Sequence, residues 1–327
     1  MVWYGHGQAT RRHRGYLLEA CDATLAELAR EAGVDRPLLY LIDALPYVFR
    51  AYFAIRELRS PQGQPVNAVY GFTAFLLQLL RREPLTHVGV AFDESLTSSF
   101  RNAFFPDYKA NRALPPPDLA WQLQQCQAVA RALGLPVFVD QLYEADDLIG
   151  TLARQATQQD IHVVVVSNDK DLMQLVTPRV TFYDAAKDRR FDPAGVAAHV
   201  GVHPIQIPDL LGLQGDAVDN IPGVKGIGAK TALALLQVFP NLETLYADLA
   251  RLETLPLRNV KTLRQKLEAG QESAFLSKRL ATIALDAPVA CAPEALHYQG
   301  AQAAAVTPLF AELGFQRLSQ RIARWQV

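Results

Sequence analysis

Cysteine is scarce in this chain: three in 327 residues, Cys21, Cys126 and Cys291, far apart and without a CxxC pair. That count excludes the disulfide framework of a small secreted domain and points to a reducing compartment. Aromatic residues make up only 9%, and no uninterrupted apolar run approaches the ~20 residues of a membrane helix. The first residues lack the apolar core and small-residue cleavage site of a signal peptide, so a cytoplasmic protein without a membrane partner is expected. Net charge is nearly absent too: 32 basic against 33 acidic residues leave −1, which speaks against a uniformly basic binder of nucleic acid. What is present is a composition 50% apolar and 20% charged, ordinary for a globular protein. The length suggests about two domains at roughly 150 residues each.

Residues 1–36 read as an appended helical extension closed by Gly33. From residue 37 strand-like runs alternate with helix-period segments. LLYLID (38–43), HVGVAFD (87–93), LPVFVD (135–140) and IHVVVVSND (161–169) are short and unalternated, as parallel strands buried on both faces should be. The stretches between them, such as VYGFTAFLLQLLRRE and ADDLIGTLARQATQQ, carry helical periodicity. The pattern predicts an α/β doubly wound, mostly parallel sheet over 37–200. From 201 to about 290 strand-like runs give way to helical sequence around a Gly-rich connection, predicting a smaller all-helical domain. The amphipathic tail, 291–327, is expected to pack back on the body.

All four strand-like runs end in Asp. In open α/β sheets the functional crevice lies at the carboxyl ends of the strands, so these side chains converge there unless each merely caps the next helix. Asp140 is the one read as structural. The remaining acids fall in YEADDL, NDKDL and GDAVDN. The candidate set is therefore Asp43, Asp93, Glu144, Asp146, Asp147, Asp169, Asp171, Asp216 and Asp219. So many carboxylates in one cleft repel one another unless cations neutralise them. Hard divalent ions, Mg²⁺ or Mn²⁺, suit oxygen ligands, and the number of acids suggests two ions. Two such ions are the apparatus of phosphodiester cleavage, so a nuclease is the leading expectation. His87 and His162 sit inside strand-like runs and read as structural rather than as general bases.

Splitting the charge explains its cancellation: +2 over 37–139, −7 over 140–219 and +4 over 220–280. The acidity is confined to the middle, and the surface around the nine acids is basic enough to hold a phosphate backbone. GVKGIGAKT (223–231) resembles a P-loop but has Ala229 at the required Lys position and follows a helical segment. It reads better as a hairpin between helices, in which Gly223, Gly226 and Gly228 let backbone N–H groups approach phosphate while Lys225 and Lys230 add charge. A turn that only reverses the chain is the alternative. SSFRNAFFPDYKANR interleaves Arg101, Lys109 and Arg112 with Phe100, Phe104, Phe105 and Tyr108. It reads as a strand-gripping loop whose aromatics stack on an unpaired base, or as a solvated basic loop with its aromatics in a local core.

Asp43, AFDES, SFRNAFFPDYKANR, YEADDLIGTLA, NDKDLMQLVTP and GDAVDNIPGVKGIGAKTALALL occur in an order and spacing that resembles the 5′-3′ exonuclease domain of bacterial DNA polymerase I, of the flap-endonuclease superfamily. The resemblance covers roughly 38–285. It implies a PIN-like nuclease fold with a helical arch at about 95–118, a helix-hairpin-helix domain, and a metal-dependent nuclease acting in DNA replication and repair on DNA with 5′ ends or 5′ flaps. Asp43, Asp93, Glu144 and Asp146 then resemble a first metal group, and Asp169, Asp171, Asp216 and Asp219 a second, with Asp147 able to assist either. Tyr108, Lys109 and Arg112 match arch residues at the reacting phosphate, Arg101 would touch DNA, and the hairpin would grip duplex and could hold a K⁺ ion. Where the family has Gly and small polar residues after the first Asp, this chain reads Asp43-Ala44-Leu45-Pro46, and Pro46 restricts the turn. The chain also ends where a polymerase would continue, so a free-standing exonuclease is expected. A DNA-junction binder without turnover and a PIN-like ribonuclease are the rival readings.

Overall fold

The computed structural model describes residues 37–83, 85–95, 99–112, 114–254, 259–290 and 292–326. The extension expected over 1–36 lies outside the described residues. Six strands form one sheet: β1 (Leu38–Asp43), β2 (His87–Ala91), β3 (Val137–Phe138), β4 (His162–Val166), β5 (Val180–Asp184) and β6 (Arg189–Phe191), in the order β3-β2-β1-β4-β5-β6. All neighbours pair parallel except β5 and β6. β1 is central, with β2 on one side and β4 on the other, so the strand order reverses there and a crevice opens at the carboxyl ends of those three strands.

Alternate residues of each strand feed two cores. Tyr40, Ile42, Val88, Val90, Val164 and Val166 face the helices α1 (Leu45–Ala54), α2 (Asn67–Arg82) and α3 (Pro117–Ala132). Leu39, Leu41, Val163 and Val165 face α4 (Ala145–Gln158) and the helical region beyond. β-Branched and apolar residues on both faces are what a parallel sheet covered on both sides requires. The hairpin of β5 and β6 escaped the sequence pattern. Its strands are short and its turn, through Asp188 at φ 52, carries no glycine. β3 is two residues long rather than six; at its start Pro136 offers no N–H to extend the ladder.

After α5 (Pro193–Val200) the chain is helical: α6 (Ile207–Gln214), α7 (Ala229–Leu236), α8 (Leu242–Ala247) and the 22-residue α9 (Val260–Ala281). Then follow α10 (Pro293–Leu296), α11 (Ala303–Leu313) and α12 (Gln316–Ser319). Val306 and Phe310 of α11 belong to the same core as Tyr40 and Ile42, so the tail covers the face of the sheet opposite α4. No helix among the described residues is long and apolar enough to cross a membrane.

Candidate active site

β1, β2 and β4 run in register (Asp43 opposite Ala91, Ile42 opposite Val166). Their terminal acids, Asp43, Asp93 and Asp169, therefore emerge side by side. Pro46 does not disturb this. It sits in the first turn of α1, where no helical partner is needed for its missing N–H, and Ala44 N donates to Ala91 O at 3.0 Å to hold the turn. Asp43 is 5% exposed, and its Oδ2 accepts from Ser167 Oγ at 2.7 Å. The same Ser167 hydroxyl accepts from Asp169 N at 3.0 Å. Ser167 thus ties two strand-end acids together, a role the sequence signalled only by a Ser between β4 and Asp169. Asp140 is an Asx turn, accepting from Leu142 N and Tyr143 N.

Glu144 caps α4, with Asp146 and Asp147 in its first turn, where the helix dipole favours negative charge. Asp93 Oδ1 accepts from Ala145 N at 2.6 Å and fastens that helix start to β2. Asp169 caps the short 3₁₀ helix Lys170–Leu175 and carries Asp171 beside it. Asp216 and Asp219 come from the loop after α6, closed by reciprocal bonds between the Asp216 and Ile221 backbones at 2.9 and 2.7 Å.

The electrostatics report one crevice. Burial, then Asp93 and Asp169, push Asp43 up to about 8 against the Ser167 hydrogen bond. Burial and Glu144 raise Asp93 to about 6. Burial, Asp169, Asp43 and Asp93 raise Asp146 well above the carboxylate range. Asp171 is pushed to about 7 by burial, Asp169, Asp216 and Asp219. Asp169 rises by enclosure and by Asp219, although its side chain keeps solvent access at the rim, where water tempers such effects. Glu144 goes the other way: Lys109 and Arg101 outweigh its burial.

As the side chains stand, no three acidic, His or Cys groups among the described residues are close enough together to hold one ion. Several of the acids are turned to protein partners instead. Lys109 Nζ lies 2.5 Å from Glu144 Oε1 and 3.9 Å from Asp219, Arg112 pairs with Asp219, and Lys170 stands 3.9 Å from Asp216. The donor set nevertheless fits hard cations. It is all oxygen, burial and neighbouring carboxylates raise the pKa values of Asp43, Asp93 and Asp171, and the buried Asp171 Oδ1 has no hydrogen-bond partner.

Two expected site residues lie elsewhere in function. Asp147 is fully buried and its oxygens are spent: Arg101 Nη1 and Nη2 donate to it at 2.8 Å each, Glu144 N at 3.1 Å and Ala284 N at 2.8 Å. It has no lone pair aimed at the crevice. Arg101, expected at DNA, is 2% exposed and also donates to Glu144, Leu280 O and Thr282 O. A guanidinium with five donors met by protein cannot reach a phosphate.

The stretch expected as a helical arch contains, among its described residues, the 3₁₀ helix Phe100–Ala103 followed by turns. Pro106 and the left-handed φ of 57° at Lys109 interrupt any helix there. Its aromatics pack locally rather than awaiting a base. Phe100 meets Tyr143 with ring centroids 5.1 Å apart, Phe104 carries Arg279 over its face, and Tyr108 is 3% exposed with its OH donating to Glu144 at 3.2 Å. His87 and His162 begin β2 and β4, at the opposite end of the sheet from the acids.

Between α6 and α7 the chain forms the hairpin. Gly226, Gly228, Lys225 and Lys230 are exposed on its outer side. Gly223 is not: its N–H donates to Ser277 Oγ at 2.9 Å and its carbonyl accepts from Ser273 Oγ at 2.6 Å. At φ 62, a Cβ on Gly223 would lie 2.3 Å from Gly215 N, so glycine is required for backbone packing rather than phosphate contact. The carbonyl of Gly226 accepts from the Lys266 ammonium at 3.2 Å.

Residues 38–201 match the family described as 5′-3′ exonuclease, N-terminal resolvase-like domain, and 202–304 its C-terminal SAM fold. DNA polymerase I of Bacillus caldotenax is 42% identical over 288 residues, 87% of this chain but 32% of the polymerase. The chain thus spans about a third of the length of that relative. A 5′-3′ exonuclease of Buchnera aphidicola subsp. Schizaphis graminum is 34% identical over 254 residues, 78% of this chain and 88% of the relative. In fold, the chain is similar to the T5 D15 protein co-crystallised with metal ions (TM-score 0.62, 22% identity, 87% of this chain and 99% of that one). It is also similar to the catalytic core of Rad2 in complex with DNA (TM-score 0.54, 14% identity, 88% and 92%). The two family matches meet at residue 201, where the structure passes from sheet to helices, and the chain belongs to the 5′-3′ exonuclease family.

Proposed function

We propose that this protein is a metal-dependent, structure-specific 5′ nuclease that hydrolyses DNA phosphodiester bonds at 5′ ends and 5′ flaps, in replication and repair. The observation that carries the reading is the single crevice of Asp43, Asp93, Glu144, Asp146, Asp169, Asp171, Asp216 and Asp219, with a basic hairpin on the same helical region that supplies the last two. When bound there, a pair of Mg²⁺ or Mn²⁺ ions lowers the pKa of the attacking water and stabilises the charge on the attacking and leaving oxygens. Asp43, Asp93, Glu144 and Asp146 would hold one ion, and Asp169, Asp171, Asp216 and Asp219 the other. Tyr108 orients Glu144 through its hydroxyl. Lys109 and Arg112 supply positive charge to the scissile phosphate. Lys225, Lys230 and the backbone at Gly226 and Gly228 hold duplex without reading its bases. Metal ions and DNA in the related T5 flap endonuclease structure support this assignment. A cytoplasmic setting agrees with the buried free thiol of Cys126.

A junction binder without turnover is favoured by one observation, the protein cations that occupy Glu144 and Asp219. Incubation with 5′-flap DNA and Mg²⁺ decides between the two. EDTA-sensitive cleavage lost in the Asp169→Asn/Asp171→Asn variant is expected, whereas tight flap binding without cleavage would remove the enzyme reading.

A further inference from the structure

Two of the cations on Glu144 and Asp219, Lys109 and Arg112, belong to one short stretch of chain, whereas Arg101, 3.3 Å from Glu144, is fixed on Asp147, and that short stretch is itself clamped down. Lys109 N donates to Asp219 O at 3.0 Å, Asn111 Nδ2 to Ala217 O at 2.7 Å, and Asn220 Nδ2 to Asp107 O at 2.6 Å. Lys109 is 7% exposed, its ammonium 2.5 Å from Glu144 Oε1, and it keeps a left-handed φ of 57°, uncommon for a residue other than glycine. Arg112 closes the other side on Asp219.

We propose that Lys109 and Arg112 are built-in counter-ions that shut residues 106–112 over the acidic crevice, and that they withdraw from Glu144 and Asp219 when divalent cations take those carboxylates. This rests on the metal-dependent nuclease reading of the same site. The argument is one of exclusion. An ammonium at hydrogen-bond distance from Glu144 and a divalent ion on the same carboxylate would stand within a few ångström of each other, and like charges that close in a buried crevice repel strongly. The two occupants are therefore alternatives. Released, the same two side chains need a new anion, and a DNA phosphate at the crevice mouth is the one available during turnover. Loop, metal and phosphate thus form one linked equilibrium, in which the free enzyme keeps its acids capped and substrate favours the open, metal-loaded state. By reciprocity, whatever the loop subtracts from metal affinity the metal subtracts from loop docking.

The test needs no cleavage of DNA. Mn²⁺ binding to the full chain without DNA is measured by electron paramagnetic resonance for the wild type, Lys109→Gln, Arg112→Gln and Asp169→Asn/Asp171→Asn. In parallel, trypsin cleavage after Lys109 and Arg112 in the wild type is followed by mass spectrometry, with EDTA and with Mn²⁺. The expected result is Mn²⁺ affinity about tenfold tighter in each Gln variant, within the usual span of coupled sites, and faster loop cleavage in the wild type when Mn²⁺ is present. Unchanged affinity in the Gln variants together with metal-independent cleavage overturns the counter-ion role while leaving the metal centre standing, provided the double Asn variant loses binding. Wild-type binding by the double Asn variant overturns both. Should a Gln variant fail to fold, the wild-type cleavage rates decide alone.

Discussion

Replacing Arg101 separates a structural arginine from a DNA-contacting one. Its guanidinium makes two 2.8 Å bonds to the fully buried Asp147 and further bonds to Glu144, Leu280 O and Thr282 O, uniting the loop after β2, the start of α4 and the end of α9. Arg101→Met removes the positive partner and leaves the Asp147 carboxylate in a low-dielectric interior. Breaking a buried pair in this way costs about 3–5 kcal/mol. For a domain of this size, with roughly 2–4 °C lost per kcal/mol, the melting temperature should fall by about 6–20 °C. Asp147→Leu added to Arg101→Met removes the orphaned charge, and part of the loss should return, the rest remaining because Glu144 N, Ala284 N, Leu280 O and Thr282 O lose their partners. Differential scanning calorimetry or urea denaturation of the two variants and the wild type measures this directly. An Arg101→Met protein that melts like the wild type but binds duplex more weakly, with a shallower salt dependence, would refute the assignment and restore Arg101 to the DNA surface.

Three further outcomes follow from the geometry. Asp43, Asp93 and Asp171 have folded-state pKa values raised to about 8, 6 and 7, so they favour folding when protonated. In EDTA the thermal stability should fall as pH rises from about 5 to 8, and Mg²⁺ should recover more of it at pH 8 than at pH 5; a metal-free stability that climbs over that window contradicts the crevice electrostatics. Lys225→Ala and Lys230→Ala should each weaken duplex binding and reduce the slope of log K against log salt by about one, read by fluorescence anisotropy at several salt concentrations. If Lys109 has the proposed role at the reacting phosphate, Lys109→Ala should lower single-turnover cleavage by about 10²-fold or more while duplex affinity changes little, as for the loss of one electrostatic stabiliser; weaker binding with normal turnover would contradict that role.

The strand-end acids were legible because two local signals coincide at each: an unalternated apolar run fixes a buried strand, and the Asp that follows is placed by the sheet itself. Glu144 and Asp146 were legible as the first turn of a helix. Asp147 was not, because adjacency in sequence hides the 100° turn between successive helical residues, which sends it inward to Arg101 while Asp146 faces the crevice. Arg101 itself was misread for a matching reason: in SSFRNAFFPDYKANR an arginine among aromatics looks like a stacking surface, and only tertiary packing shows that Phe100 and Tyr108 flank it in the interior. Ser167 and Lys266 were missed because each acts on a group distant in sequence, Asp43 and Gly226 respectively. Gly223 reads from sequence as a point of approach to phosphate, and only the fold shows the backbone of Gly215 pressed against it.

That Gly215–Gly223 contact has a mechanical consequence. Val224 N donates to Leu213 O at 2.8 Å and the Asp216–Ile221 bridge closes the ring between them, so the loop bearing two acids and the turn that would grip duplex are joined directly by backbone hydrogen bonds. A helix of DNA seated on the turn would meet the acids at a constant offset, as cloth meets the blade beside a ruler. Where along the strand the break falls would then be dictated by the length of this joint, whatever the bases.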